Sequence, residues 1–273
     1  MFQQVKPKSK LSSALSIIAV IYHTTVRDVR SGHSNAVVAL ALNIFQACVL
    51  VIAFYAMFTL LGIKAAKIRG DFILYIMSGI FMYMTHVKSV SSVMGADDPT
   101  SAMMQHAPMT TAVSLLSAAL STLYTQALSL FVILFAYHTL VTPVVIDDPV
   151  TSFGLFMLAW ATGCAVGLVL FALKPWFPTF VSMFSTTYRR VNMLASGKMF
   201  VANSLPPVML AMFDWNPLFH IIDQVRGFIF NNYFPRNSNW EYPIYVGLAL
   251  VMIGLMGEFY TRQQASSSWA ARR

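Results

Sequence analysis

Six stretches of this chain are apolar and long enough to cross a hydrocarbon core of about 30 Å, at roughly 1.5 Å of helix per residue. They cover residues 36–61, 72–94, 111–141, 151–173, 191–213 and 242–260. Such runs leave few folds open, because lipid satisfies no backbone N–H or C=O and only helices or closed barrels survive in it. Their length selects an all-α integral membrane protein, organised as a single transmembrane domain over residues 1–273. Composition agrees. The chain is 57% hydrophobic and 10% charged, with a mean hydropathy of +0.65, whereas soluble domains carry about 25% charged residues. A pI near 9.6 is compatible with nucleic acid. The basic residues, however, sit mainly beside the apolar runs, where they act as membrane-orientation charges, so no nucleic-acid partner is expected.

Residues 1–35 begin polar and basic, with Lys6, Lys8 and Lys10, and show no small-residue cleavage site of a signal peptide. Over Leu11–Arg30, the residues Leu11, Leu15, Ile18, Tyr22, Val26 and Val29 form one apolar helical stripe. That pattern predicts a helix lying in the membrane interface with its basic groups reaching lipid phosphates; an amphipathic core helix is the alternative. Lys88, near the end of the second run, is placed to snorkel toward the interface, and His86 reads as a packed or interface histidine. The polar break Gly95–Thr110 carries the signals of its own short helix, capped by Asp97 or Asp98 with Pro99 in the first turn. Asp147-Asp148-Pro149 repeats the pattern. Without further oxygen ligands nearby, capping is the stronger reading there than a cation site. Ala159, Gly163 and Gly167 make a small-residue strip on which another helix can pack closely, in the same subunit or another. Lys174–Arg190 reads as a basic interfacial connector, and the run 191–213 is weakened by Lys198 and interrupted by Pro206-Pro207. Cys48 and Cys164 lie inside apolar segments and read as packing residues.

Residues 214–235 are apolar yet carry His220, Asp223 and Arg226 at helical spacing. Asp and Arg at a bilayer centre cost about 2.5–3.5 kcal/mol each, which disfavours a lipid-facing span. The expectation is a re-entrant or interfacial helix, capped by Asn216 with Pro217 at its first position, in which Asp223 and Arg226 pair. It should break near Gly227 or Asn231-Asn232.

The string Asn216-Pro217-Leu218, His220, Ile221-Ile222-Asp223, Arg226 and Phe228–Phe230, with the preceding Ser196 and Leu205-Pro206, resembles the signature before the last span of ABC type-2 transporter permeases. The likeness is to the branch that exports capsular and O-antigen-like polysaccharides, and it includes the six-span layout. It implies a permease subunit of the bacterial inner membrane that works as a homodimer, with a cytoplasmic ABC ATPase in two copies. ATP and Mg would be held by that partner. Periplasmic and outer-membrane export proteins are further possible partners, beside the polysaccharide and membrane lipid. The ATPase-docking parts would be Asp98, Pro99, Ser101, Gln105 and His106, together with Arg27 and Arg30 of the first helix. Aromatic side chains would line the path; Tyr55, Tyr75, Tyr83, Tyr124 and Trp160 are the candidates, although packing or interface roles compete at each.

The chain's own motifs fit this division of labour. No phosphate-binding loop, H-E-x-x-H, C-x-x-C or G-x-S-x-G occurs, so no catalytic residue, metal site or cofactor is expected in this chain. Six spans put both termini on one side. The basic tails, including 261–273, and Arg189-Arg190 choose the cytoplasm, while the Lys64–Arg69 loop argues the other way. Export of a small amphiphile by the same fold is the alternative. A secondary transporter is less favoured, since no half-to-half repeat is visible. An intramembrane enzyme is disfavoured because His86, His138 and Lys198 are scattered.

Overall fold

A computed structural model describes residues 10–31, 36–62, 70–97 and 110–270. Nine α-helices, and no strand, occur among these residues: α1 (Lys10–Ser31), α2 (Ala36–Leu60), α3 (Phe72–Met94), α4 (Thr111–Leu140), α5 (Pro149–Leu173), α6 (Pro178–Ala195), α7 (Pro207–Phe213), α8 (Pro217–Ile229) and α9 (Glu241–Ala270). Five of them, α2, α3, α4, α5 and α9, are long and apolar enough to cross a membrane. The protein is a helical, multi-pass membrane protein.

Residues 191–213, expected as one span, do not form a continuous helix. Helix α6 runs through Ala195, Gly197 then turns left-handed (φ +78°), and a 3₁₀ turn occupies Ala202–Ser204. Pro206 is extended and Pro207 opens α7. A prolyl nitrogen has no proton to donate, so the pair ends any helical ladder entering it. The connector expected from Lys174 to Arg190 is itself mostly helical, within α6.

Starts of helices follow the expected capping chemistry. Asp148 Oδ1 accepts the amides of Val150 and Thr151 at 3.1 and 3.0 Å, and Oδ2 accepts the Thr151 hydroxyl at 2.6 Å. These bonds, led by the one from Thr151, hold its carboxyl below the usual carboxylate range. Asp71 caps α3 through Ile73 and Leu74 and also accepts Tyr137 Oη at 2.5 Å and Thr142 Oγ1 at 3.0 Å. Burial raises its pKa, but the four hydrogen bonds outweigh burial and the net direction is down. No helix start is described at Asp97, whose amide donates to Ser114 Oγ at 2.9 Å.

The small-residue strip is used within this chain. A Cβ on Gly163 would collide with the His86 carbonyl, and one on Gly167 would lie 2.9 Å from the Val90 carbonyl, so α5 packs backbone-close on α3. On its other flank α5 receives α9, where a Cβ on Gly254 would stand 2.7 Å from Leu168 Cγ. Helix α3 is the most enclosed span, while α2 and α9 are mostly exposed. Cys48 and Cys164 are both free. Helix α1 lies on α4, where Ser117 Oγ donates to the Ile21 carbonyl at 3.3 Å; Leu15, Ile18 and Tyr22 stay exposed on its outer side.

At 13 residues, about 20 Å, α8 is too short to span. It is enclosed by α3, α5 and α9, with Leu218, Ile221, Ile222 and Val225 fully buried in the main core. The loop before α5 joins it: the amides of Asp147 and Asp148 donate to the carbonyls of Ile229 and Phe228 at 3.4 and 2.9 Å. The helix stops at Ile229, with Phe230 as its cap, slightly past Gly227 and before Asn231.

Candidate functional site: a cation-lined cleft beside a clamped loop

Arg226 is 1% exposed and has no carboxylate partner among the described residues. Its Nη1 donates to the carbonyls of Gly197 and Phe200 at 2.9 and 2.7 Å, and Nη2 to that of Lys198 at 2.8 Å. The guanidinium also lies 4.2 Å from the Tyr75 ring centroid. The expected Asp223–Arg226 pair therefore does not form. Asp223 instead accepts the Tyr233 hydroxyl and, at 2.7 Å, Ser238 Oγ. The reason lies in the broken helix before α8: its turn at Gly197–Phe200 leaves buried carbonyls that need donors, and Arg226 is the side chain that reaches them.

The rest of the α8 motif fixes the same end of the molecule. Asn216 Oδ1 caps the Leu218 amide at 3.1 Å while Nδ2 donates to Asn192 Oδ1 and the Ala195 carbonyl, tying α8 to α6. Pro217 occupies the first helical position. His220 Nε2 donates to the Asp214 carbonyl at 2.6 Å and Nδ1 accepts the Asn239 amide at 3.2 Å, which assigns the proton to Nε2.

The clamped loop carries Lys198 into the bundle. Its backbone approaches α3 at Gly79, where a Cβ would stand 2.8 Å from Lys198 Cβ and 3.0 Å from Arg226 Nη2. The Lys198 ammonium lies 3.4 Å from the Tyr83 ring centroid and 5.0 Å from that of Phe54, with no hydrogen-bond partner among the described residues. Tyr83 Oη donates to the Arg189 carbonyl at 3.2 Å and so links α3 to α6.

Next to Tyr83 a cleft of about 500 Å³ opens between α2, α3 and α6. Its polar lining is Gln46, Tyr83, Lys88, Ser91, Thr186, Arg189 and Arg190, without an acidic residue among the described residues. Arg189 is steadied by the Ser185 carbonyl at 3.3 Å and Thr186 Oγ1 at 3.4 Å, and Arg190 is exposed at the rim. The Lys88 ammonium donates to Asn43 Oδ1 on α2. Gln126 Nε2 donates to the same oxygen at 3.1 Å, and Asn43 Nδ2 donates to Ser129 Oγ at 2.7 Å. A span interior that holds a cation, two amides and a hydroxyl has a use for them, since each is costly in lipid. Three cations amid hydroxyls and amides suit a ligand rich in hydroxyl or anionic oxygen.

The five aromatic candidates are not gathered into one path. Tyr83 lines the cleft and Tyr75 is buried under Arg226. Tyr55 is exposed on α2, Tyr124 is exposed beside α1, and Trp160 packs α5 on α4 through a 2.9 Å bond to the Ala119 carbonyl. Phe180, Phe184 and Tyr188 form a stacked ladder on α6, with centroids 6.1 and 6.2 Å apart, that sequence reasoning missed. Asn43 and Gln126 were missed as well, although a lone amide in an apolar span is a readable signal. His86 is a packed histidine, as expected: fully buried, it meets Thr162 Oγ1 at 3.1 Å and Tyr188 Oη at 2.8 Å. Among the docking candidates, Arg27 bonds Asp28 at 2.9 Å and reaches Asp97 at 3.4 Å. Burial raises the pKa of Asp28 despite that contact. Asp98, Pro99, Ser101, Gln105 and His106, the Lys64–Arg69 loop and the Arg30 side chain lie outside the described residues. Comparison with known proteins gives no match to any protein-family model and none to a curated protein.

Proposed function

We propose that the chain is the transmembrane permease subunit of an ATP-driven ABC exporter moving a capsular or lipid-linked polysaccharide across the bacterial inner membrane. The observation that carries this reading is the cleft between α2, α3 and α6, where Lys88, Arg189, Arg190, Gln46 and Tyr83 offer charge, amide and aromatic surface inside an apolar bundle. Sugars need that combination, with hydroxyls on polar groups and C–H faces on rings. A second copy completes the path against the exposed rim of the cleft. Two cytoplasmic ATPase subunits supply ATP and Mg chemistry and drive alternating access. In this scheme α6, the clamped loop and α7 together make the sixth crossing in broken form, which returns both termini to the cytoplasm. Helix α8 is then a re-entrant element that closes the outer exit.

The test is reconstitution with and without a cytoplasmic ABC ATPase that co-purifies with the chain. The chain alone is expected to turn over no ATP, and the pair to show ATP-dependent polymer export that falls with Arg189→Gln plus Arg190→Gln. Robust ATP turnover by the single chain, or export unaffected by the double substitution, would sink the reading.

A further inference from the structure

Lys88 sits inside a span with no anionic partner among the described residues, and the cleft it lines contains no carboxylate. An ammonium has three N–H groups. One is taken by Asn43, whose oxygen also receives Gln126, so the charge is partly solvated but not neutralised. A second cavity of about 490 Å³, between α1, α2, α3 and α4, is also lined by Lys88; Lys88 and Gln46 wall both spaces. Asp28 also lines that cavity, but its carboxylate is bonded by Arg27.

The same cavity adjoins an apolar groove of about 850 Å³ between α1, α4 and α5, with Val29 and Tyr124 as shared wall. Val26, Leu123, Ala127, Phe131, Phe153 and Met157 line the groove. An apolar channel leading to a polar cavity with an unneutralised cation has the two-part chemistry of an acidic phospholipid. A free anion would leave the groove unfilled, and a neutral amphiphile would leave Lys88 uncompensated. We infer that this is a seat for one acidic phospholipid, with an acyl chain in the groove and the headgroup phosphate on Lys88. The charge supplied by the lipid explains how the α3 span tolerates its lysine. The seat does not depend on the transport reading, because a resident lipid would occupy it whatever passes through the neighbouring cleft.

Native mass spectrometry of the purified full chain tests this, with phosphatidylglycerol and phosphatidylcholine of identical chains added at equal concentration. Wild type should retain one phosphatidylglycerol in preference to phosphatidylcholine, by roughly tenfold or more for a charge-assisted bond. Lys88→Gln should abolish the preference and Lys88→Arg should keep it. Ala127→Trp, which fills the groove, should lower retention of both lipids, and Arg262→Gln on exposed α9 should change nothing. If Lys88→Gln does not yield folded protein, the wild-type lipid ratio and the Ala127→Trp arm still decide. Equal retention of the two lipids by wild type, a preference that survives Lys88→Gln, or undiminished retention in Ala127→Trp overturns the proposal. A chainless glycerophosphoglycerol headgroup that competes as well as the whole lipid overturns the groove's part in it.

Discussion

Replacing Arg226 probes the clamp directly. Arg226→Met keeps the apolar stem but removes donors to three buried carbonyls, at 2.9, 2.7 and 2.8 Å, and the contact with Tyr75. Each orphaned carbonyl costs about 1–3 kcal/mol, and relaxation of the loop recovers part of that. A net loss of about 3–6 kcal/mol is therefore expected, and at about 2 °C or more per kcal/mol the melting temperature should fall by at least about 6 °C. Arg226→Lys keeps the charge but has one point donor where the guanidinium forks to both sides. It should lose at least half as much. The measurement is tryptophan-fluorescence melting of detergent-solubilised protein, with abundance in the membrane as a second readout. If Arg226→Lys melts with wild type, charge rather than the forked geometry holds the loop, and the clamp is wrong. The same assay separates Asp223 from Arg226. The coupling of Asp223→Asn with Tyr233→Phe should exceed that of Asp223→Asn with Arg226→Lys, because only the first pair shares a hydrogen bond.

Gly163→Ala should destabilise by about 1–3 kcal/mol through overpacking against α3, while Gly154→Ala, with nothing within 4 Å of its Cβ, should be neutral or slightly stabilising; equal effects would contradict the close packing of α5 on α3. Lys198→Met removes a buried ammonium without a hydrogen-bond partner. It should leave stability unchanged or raise it by up to about 2 kcal/mol; a clear loss would show that the ring contacts outweigh burial. The Asp71 pKa is lower in the folded state than the ordinary value of about 3.9, so its contribution is complete above that pH and is lost as pH falls through the folded value. Melting followed from pH 6 to pH 3 should therefore drop less steeply in Asp71→Asn than in wild type, and parallel curves would remove Asp71 from the acid response.

What could be read from the sequence is what depends on local pattern. The long apolar runs, the caps at Asn216 and Asp148, the outward stripe of α1 and the close-packing glycines on α5 all follow from periodicity or from one residue's fixed chemistry. The misreadings arose where two distant segments decide the outcome together. Asp223 and Arg226 are neighbours on one helical side, so pairing them was the local inference. Their real partners are Ser238 and Tyr233 in one case and the carbonyls at 197–200 in the other. The partner of Lys88 is equally non-local: Asn43, 45 residues earlier, accepts from its ammonium. The cleft joins α2, α3 and α6, and no window on the sequence contains all three.

The stitching of α8 into the older part of the chain constrains how the protein is made. Tyr75 enters the membrane 151 residues before Arg226 is synthesised, and the Asp148 amide precedes its acceptor Phe228 by 80 residues. At about 5–20 residues per second, those gaps amount to roughly 8–30 s and 4–16 s. During that interval α3 is already inserted with Lys88 and His86 in place, while the helix that seals it has not left the ribosome. The nascent bundle must wait half-assembled, with only α2, α4 and then α5 available to cover α3. Stalling translation between α5 and α8 should therefore expose α3 to degradation, and the quality-control machinery of the membrane has its widest opportunity there.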